Sequence, residues 1–270
     1  MRTLFAINSI LISGFASLTL IPELLQRYDW LVPIVDGASP FLIRLQILLG
    51  FWLCARECHR VIGFRWIWYV AGVFGVSISM EFLGTTFGLP FGKYSYAPLL
   101  GWKIAGKIPI LVFAAWFAMA VASYFLGLQM IGPARMHIFR RTTNYWYRTA
   151  QRVGFAALLL VIWSFTLAPV MGQLTQCWVW EQPGPLIYQM PIRSLSGWLV
   201  TGLLIFGSFE VLRLRDWTHR FDPSWAIKFY LLNLMLPLGL AIAGALWIPV
   251  GLTLVGLSAC YFYARKRTLK

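Results

Sequence analysis

Three side chains in one stretch of the sequence have the types and spacing needed for acid chemistry. Glu81 closes a long apolar run, where an ionised carboxylate is costly. Burial of a carboxyl group favours its neutral form, which can donate a proton. Tyr94 and Tyr96 follow two residues apart, so an extended strand turns both hydroxyls to one face. A second carboxylate, Glu181, lies beside Trp178 and Trp180 in a later segment. We predict catalytic roles for Glu81, Tyr94, Tyr96 and Glu181.

Each of these residues also has a purely structural interpretation. The Glu81 carboxyl group could instead hydrogen-bond backbone groups freed by the nearby glycines and Pro90. The two tyrosines could line an apolar slot or orient a water molecule, and their structural alternative is to anchor the chain at the membrane interface. The sequence leaves these alternatives open.

The elements that must position these residues lie within residues 81–109. Five glycines and three prolines interrupt this segment, too many for an ordinary helix. Gly84, Gly88 and Gly92 are four residues apart, but Pro90 argues against an unbroken helix. We therefore predict that these four residues shape the backbone.

The same segment carries a specific resemblance. Its pattern E-x-x-G-T-x-x-G-x-P-F-G-x-Y-x-Y, from Glu81 to Tyr96, resembles the signature of membrane carotenoid-biosynthesis proteins. That family includes carotenoid 1,2-hydratases and bisanhydrobacterioruberin hydratases. The likeness continues through Ala115-Trp116-Phe117, the W-x-W of Trp178 and Trp180, and Gly197-Trp198. The chain departs from the pattern at Ala168 and Ser194, where the family implies Asp and Asn.

The resemblance implies addition of water to the terminal 1,2 double bond of an acyclic carotenoid. It implies a neutral acid and an apolar, aromatic slot, and it requires no cofactor. Two other functions stay open: a different modification of a long-chain isoprenoid, and carotenoid binding without catalysis. The aromatic residues predicted to contact the substrate are Phe87, Phe91, Trp102, Trp116, Trp178 and Trp180.

Composition independently places the chain in a membrane. It is 59% hydrophobic and only 12% charged, about half the charged fraction of soluble domains. We expect one all-α transmembrane domain over residues 1–270, a polytopic bundle of seven to eight spans. The eight apolar runs are residues 4–25, 41–55, 66–83, 108–128, 153–171, 197–212, 226–245 and 248–263.

The distribution of positive charge predicts the orientation. Seventeen of the 23 Lys and Arg residues fall on one side of the eight-span arrangement, so the positive-inside rule puts both termini in the cytoplasm. The net charge of +14 is thereby explained without nucleic-acid binding. Residues 81–109, residues 172–196 and the first loop, with Asp29 and Asp36, then share the outer face of a cytoplasmic (inner) membrane.

The remaining residue types exclude several other functions. The four cysteines suggest no disulfide framework, and the three histidines have no metal-ligand spacing. The sequence has no Walker loop and no dinucleotide fingerprint. We therefore expect no metal and no cofactor. The expected partners are a carotenoid, the lipid bilayer and other enzymes of the same pathway. Glu210 and Asp216 are expected to be solvated or paired on the basic face.

Overall fold

Long apolar helices make up most of the chain. The computed structural model describes residues 2–18, 27–28, 30–131, 141–185, 187–214, 216 and 220–268. This part contains eight α-helices, and each predicted apolar run coincides with one. They are α1 (Arg2–Leu18), α2 (Leu31–Ile62), α3 (Trp66–Phe87), α4 (Ile110–Ile131), α5 (Arg141–Pro169), α6 (Ile192–Val211), α7 (Pro223–Ala243) and α8 (Trp247–Thr268).

These helices confirm an all-α membrane protein. Five helical stretches are long and apolar enough to cross a bilayer: Pro40–Phe87, Ile110–Ile131, Tyr145–Leu174, Ile192–Val211 and Ser224–Ala243. The first of them holds two helices, α2 and α3, and Trp247–Tyr263 is a shorter apolar helix. The mean hydropathy of the whole chain is +0.70.

Glycine and proline set the helix ends that matter for the site. Gly63, with φ of 59°, ends α2 and starts the 3-10 turn Gly63–Arg65 before α3. Gly88 ends α3 in the left-handed region, with φ of 74°, and its N–H donates to Gly84 O. Pro169 ends α5, which continues as the π-helical turn Val170–Leu174. The helix ends at Gly88 and Pro169 lead into the two interhelical segments that carry most of the candidate residues.

The bundle is built around α4, whose residues are mostly buried. Helix α4 packs against α2, α3, α5 and α7, while α1 packs against both α2 and α7. The end of α2 lies beside the start of α7, since Arg60 donates to Arg220 O just before α7 at 3.5 Å. The two helices therefore run in opposite directions. Arg2 similarly pairs with Glu57 at 3.5 Å, so α1 is antiparallel to α2.

Two interhelical segments fold onto each other at one end of the bundle. Strand β1 (Tyr94–Tyr96) pairs antiparallel with β4 (Trp178–Trp180), which places Tyr94 opposite Trp180 and Tyr96 opposite Trp178. Strands β2 (Lys103–Ile104) and β3 (Ile108–Pro109) form a small hairpin between them. The 81–109 and 172–196 segments, predicted to share one membrane face, therefore meet through a two-stranded ladder.

The structure corrects two details of the prediction. Helix α2 begins at Leu31, so Asp36 lies in a helix rather than in a loop. Glu210 is paired as expected, but the pair is buried: Arg152 Nε donates to its Oε1 at 3.1 Å, and Arg152 is 1% exposed. The contact forms because α5 packs against α6. Asp29, residues 19–25 of the first run and residues 132–140 lie outside the described residues.

Candidate functional site

Glu81 is the centre of the site. It lies in the last two turns of α3, and its side chain is buried, with 4% exposed. Because α3 stops at Gly88, the chain turns back and carries β1 over this carboxyl group. A carboxyl group in such a position needs hydrogen-bond partners, since an unpaired buried charge or polar group is costly.

Three donors converge on the two oxygens of Glu81. The hydroxyls of Tyr94 and Tyr96 both donate to Oε2, the latter at 2.8 Å. Trp116 Nε1, from α4, donates to Oε1 at 3.0 Å. Three of the residues with predicted catalytic roles, Glu81, Tyr94 and Tyr96, are therefore in hydrogen-bond contact. Trp116 joins them as a hydrogen-bond donor, a role the sequence did not indicate.

The ladder between β1 and β4 explains why both tyrosines reach one carboxyl group. Alternation along β1 turns Tyr94 and Tyr96 inward and leaves Ser95 exposed. The Tyr94 ring packs against Trp180 at 5.0 Å between centroids, and the Tyr96 ring against Trp178 at 5.9 Å. Burial, with Glu81 close by, raises the pKa of both tyrosines, so their hydroxyls stay protonated at neutral pH.

Two glycines hold Tyr94 and Phe91 in place by close approach. A Cβ added to Gly84 would lie 2.9 Å from Tyr94 Cε1, and one added to Gly197 would overlap the Phe91 ring. Phe91 is 3% exposed and packs edge-on against Tyr94 and Trp198. Gly92, with φ of 94°, supplies the turn into β1. Of the predicted backbone-shaping residues, Gly84 packs against Tyr94 and Gly92 turns the chain into β1.

An apolar cavity of about 120 Å³ lies beside the carboxyl group. Helices α2, α4, α5 and α7 contribute most of its wall, together with the loop at Tyr96 and Leu100. Among the described residues that line it, Glu81 is the one carboxyl group. Tyr96 also lines the cavity, whereas Tyr94 packs behind it. The aromatic residues in the wall are Tyr96, Trp116, Trp163, Trp178 and Trp198.

Three of the four tryptophans in this wall form a connected group. Trp116 stacks on Trp198 with ring centroids 4.4 Å apart, and Trp163 meets Trp198 edge-on at 5.6 Å. The Nε1 atoms of Trp163 and Trp178 are buried and have no hydrogen-bond partner among the described residues. The cavity wall therefore contains several indole rings and few polar atoms.

Three of the predicted site residues lie elsewhere. Phe87 is on the outer side of the last turn of α3 and is 64% exposed, and Trp102 is 90% exposed before the β2–β3 hairpin. Glu181 is half exposed and pairs with Lys93 at 3.1 Å. Glu181 directly follows Trp180, the last residue of β4. Since side chains alternate along a strand, its carboxylate points away from the cluster around Glu81. Phe91, Trp116, Trp178 and Trp180 do surround that cluster.

Sequence reasoning missed part of the cavity wall. Trp163 carries no motif, and its place depends on the rotation of α5. Gln46 and Asn233 also line the cavity, and amides within apolar spans are a signal that could have identified them.

At the two departures from the family pattern, Ala168 is buried and Ser194 Oγ is buried without a partner among the described residues. Within the described residues, no three of His, Cys, Asp and Glu are grouped to hold a metal ion.

Comparison with known proteins identifies related sequences. A family model described as "Carotenoid biosynthesis protein" matches residues 42–259. A bisanhydrobacterioruberin hydratase from Haloarcula japonica is 25% identical over 188 residues, which cover 63% of this chain and 59% of that protein. The alignment thus spans less than two thirds of the curated relative's length. No solved structure matches the chain.

Proposed function

The chain belongs to the carotenoid biosynthesis protein family, and on that premise we propose that it adds water to the terminal 1,2 double bond of an acyclic carotenoid. One observation carries the proposal. A single buried carboxyl group, held by two tyrosines and a tryptophan, lies in the wall of an apolar, aromatic cavity. Hydration of an isolated trisubstituted alkene needs such an acid in such surroundings.

The reaction begins with proton transfer from Glu81. The carboxyl group gives its proton to the less substituted alkene carbon, the π bond breaks, and a tertiary carbocation forms at the other carbon. Water adds to that carbon, and the proton it releases returns to the Glu81 carboxylate. Each turnover therefore forms one C–H and one C–O bond and leaves the acid unchanged. No oxidant, reductant or cofactor takes part.

The partners of Glu81 suit this exchange between two protonation states. A tyrosine hydroxyl either donates or accepts a hydrogen bond. Tyr94 and Tyr96 therefore satisfy both the carboxylate and the neutral acid, while Trp116 donates to Oε1. Tyr96 and Glu81 face the cavity and contact the substrate, and Tyr94 acts as a positioning residue.

The cavity wall stabilises the cation. Cations are attracted to the faces of aromatic rings, and tryptophan gives the strongest effect. Trp116, Trp163, Trp178 and Trp198 contribute such rings. The wall has little polar surface, so positive charge interacts with these rings instead of being solvated by bulk water.

The size of the cavity indicates how much of the substrate enters. A cavity of about 150 Å³ lined by apolar side chains holds a benzene molecule. The cavity of about 120 Å³ beside Glu81 therefore accommodates about one isoprene unit. The end group occupies the cavity, and the remaining polyene extends into the bilayer.

The same proposal includes the membrane arrangement. The eight helices form one transmembrane domain of eight spans in the cytoplasmic membrane, with both termini in the cytoplasm. The distribution of Lys and Arg residues supports this orientation. Glu81 then lies near the outer face, and other enzymes of the pathway work on the same membrane-dissolved substrate.

A different step on a long isoprenoid is the second candidate. Ala168 and Ser194 stand where the family pattern implies Asp and Asn, and Ser194 Oγ is buried without a partner among the described residues. A protein that only binds carotenoids would leave the pigment unchanged.

Pigment analysis separates these functions. The protein would be expressed in a host that makes lycopene, and separately supplied with bisanhydrobacterioruberin. We expect mass spectrometry to show pigments that have gained one water at an end group. Pigments modified in another way would support the second candidate. Unchanged pigment beside well-inserted protein would refute both enzymatic functions.

A further inference from the structure

Two amide side chains belong to residues that line the apolar cavity. Gln46 comes from α2 and Asn233 from α7, which are antiparallel. One turn away, side chains from α1 and α7 reach α2: a Cβ added to Gly50 would lie 3.5 Å from Phe5 Cε2 and 3.6 Å from Phe229 Cζ. Gln46 is four residues before Gly50, and Asn233 is four residues after Phe229. Four residues make about one helical turn. Because the two helices are antiparallel, both steps lead in the same direction from this contact, so Gln46 and Asn233 lie at about the same height in the bundle.

The Gln46 amide is held in one orientation. Asn8 Nδ2 donates to Gln46 Oε1 at 2.9 Å, and Gln46 Nε2 donates to Ser9 Oγ at 2.6 Å. Both partners are buried on α1. The NH₂ group of a glutamine has two hydrogens, and among the described residues one acceptor, Ser9 Oγ, binds this group.

Asn233 offers oxygen atoms to the same cavity. Its Nδ2 donates to Phe229 O at 2.8 Å, within its own helix, so this bond does not join two helices. The side-chain oxygen is the acceptor that remains on the amide. Pro237, which also lines the cavity, has no N–H to donate to the carbonyl of Asn233 four residues earlier. The wall at this point therefore combines acceptor oxygens with one N–H donor.

We infer that Gln46 and Asn233 bind the water molecule that adds to the carbocation. The inference rests on the proposed hydration and assigns its second step. A water that donates one hydrogen to an oxygen of Asn233 keeps its second hydrogen for another acceptor and turns a lone pair towards the cavity. That lone pair forms the C–O bond, the bond to the second hydrogen breaks, and this proton passes to the Glu81 carboxylate. Gln46 and Asn233 remain neutral throughout.

The placement of these amides explains how one cavity separates two steps. Glu81 supplies the proton from α3, whereas the water binds between α2 and α7. If the water were absent when the cation formed, the cation would lose a proton and return to an alkene. A bound water therefore decides between alcohol and alkene, and this partition is measurable.

The test uses the purified full-length protein in lipid nanodiscs in D₂O. Glu81 then delivers deuterium, so each cation that reverts can leave deuterium in the recovered alkene. We expect Asn233→Leu to lower alcohol formation by about tenfold, the factor that one hydrogen bond supplies in a transition state. Deuterium should still enter the recovered alkene. Pro237→Ala adds an N–H for the Asn233 carbonyl and should shift the partition in the same direction.

A matched control removes a buried hydroxyl outside the cavity. Thr253 on α8 donates to Ile162 O at 3.4 Å, and Thr253→Val should leave both readouts unchanged. Wild-type alcohol formation in both Asn233→Leu and Pro237→Ala would overturn the inference. An equal fall in alcohol formation and in the deuterium content of the recovered alkene would also overturn it, because it would indicate damage to proton transfer from Glu81. A wild-type protein that forms neither product would instead refute the proposed hydration itself, and the inference with it.

Discussion

Replacing Glu81 with glutamine separates its chemistry from its structural role. Glutamine keeps the length of the side chain but has no proton to transfer. With its oxygen towards Trp116 Nε1, its NH₂ group faces the hydroxyls of Tyr94 and Tyr96. Both hydroxyls can turn to accept from that NH₂ group, so three hydrogen bonds to residue 81 are kept, at the cost of two hydroxyl hydrogens that lose their acceptor. The variant should therefore insert in the membrane and lose less stability than a variant without a polar side chain at this position.

The magnitude of the expected effect follows from the role. A general acid contributes about 10²- to 10⁴-fold to a rate, so Glu81→Gln should lower hydrated pigment by that factor. Glu81→Ala is the structural counterpart, because it leaves three buried donors without their acceptor. Each unsatisfied group costs about 1–3 kcal/mol, so the free energy of unfolding should fall by at least about 3 kcal/mol.

Both variants would be expressed in the carotenoid-producing host. Hydrated pigment would be measured by mass spectrometry and divided by the amount of membrane-inserted protein. Thermal unfolding of the detergent-solubilised proteins would give their relative stabilities. Full product from a well-inserted Glu81→Gln protein would show that Glu81 is not the acid. Glu81 would then only tie down the loop above it, as the structural interpretation of the sequence allows.

Three further predictions concern the surroundings of the site. Trp116→Phe keeps an aromatic ring in the wall but removes the N–H to Glu81, so product should fall by about tenfold while insertion is unchanged; unchanged product would show that this hydrogen bond is dispensable. Glu181→Gln should change product by less than about twofold, because its ion pair with Lys93 is half exposed and such pairs contribute at most about 1 kcal/mol; a loss of the size expected for Glu81 would restore its predicted catalytic role. A cysteine replacing Gln182 should react with an impermeant reagent in intact cells, and one replacing Tyr147 should not; the opposite labelling would invert the proposed orientation.

Local patterns in the sequence were sufficient to select Glu81 and the two tyrosines as candidate site residues. These residues lie within one segment of 16 residues, and the alternation of a strand fixes the relative directions of Tyr94 and Tyr96. The same segment shows where the helix ends, because glycine and proline mark it. The central residues of the candidate site could therefore be chosen from patterns within one short segment of the sequence.

The rest of the cavity depends on contacts between distant helices. Trp163, Gln46 and Asn233 reach it only through the rotation of α5, α2 and α7 about their axes. Apolar spans in a membrane have little amphipathic pattern from which to read such rotation. Exposed aromatics misled the prediction for the opposite reason: Phe87 and Trp102 occur in the motif segment, but neither side chain turns towards the cavity.

The absence of side chains at Gly84 and Gly197 limits how this protein could be redesigned. A Cβ at either position would push on Tyr94 or Phe91, and so would move the hydroxyl that bonds Glu81. A library built to change which end group is accepted should therefore leave both glycines fixed. Ala115 and Leu167 line the cavity without bonding the carboxyl group, and varying their size offers a way to reshape the slot while the acid stays in place.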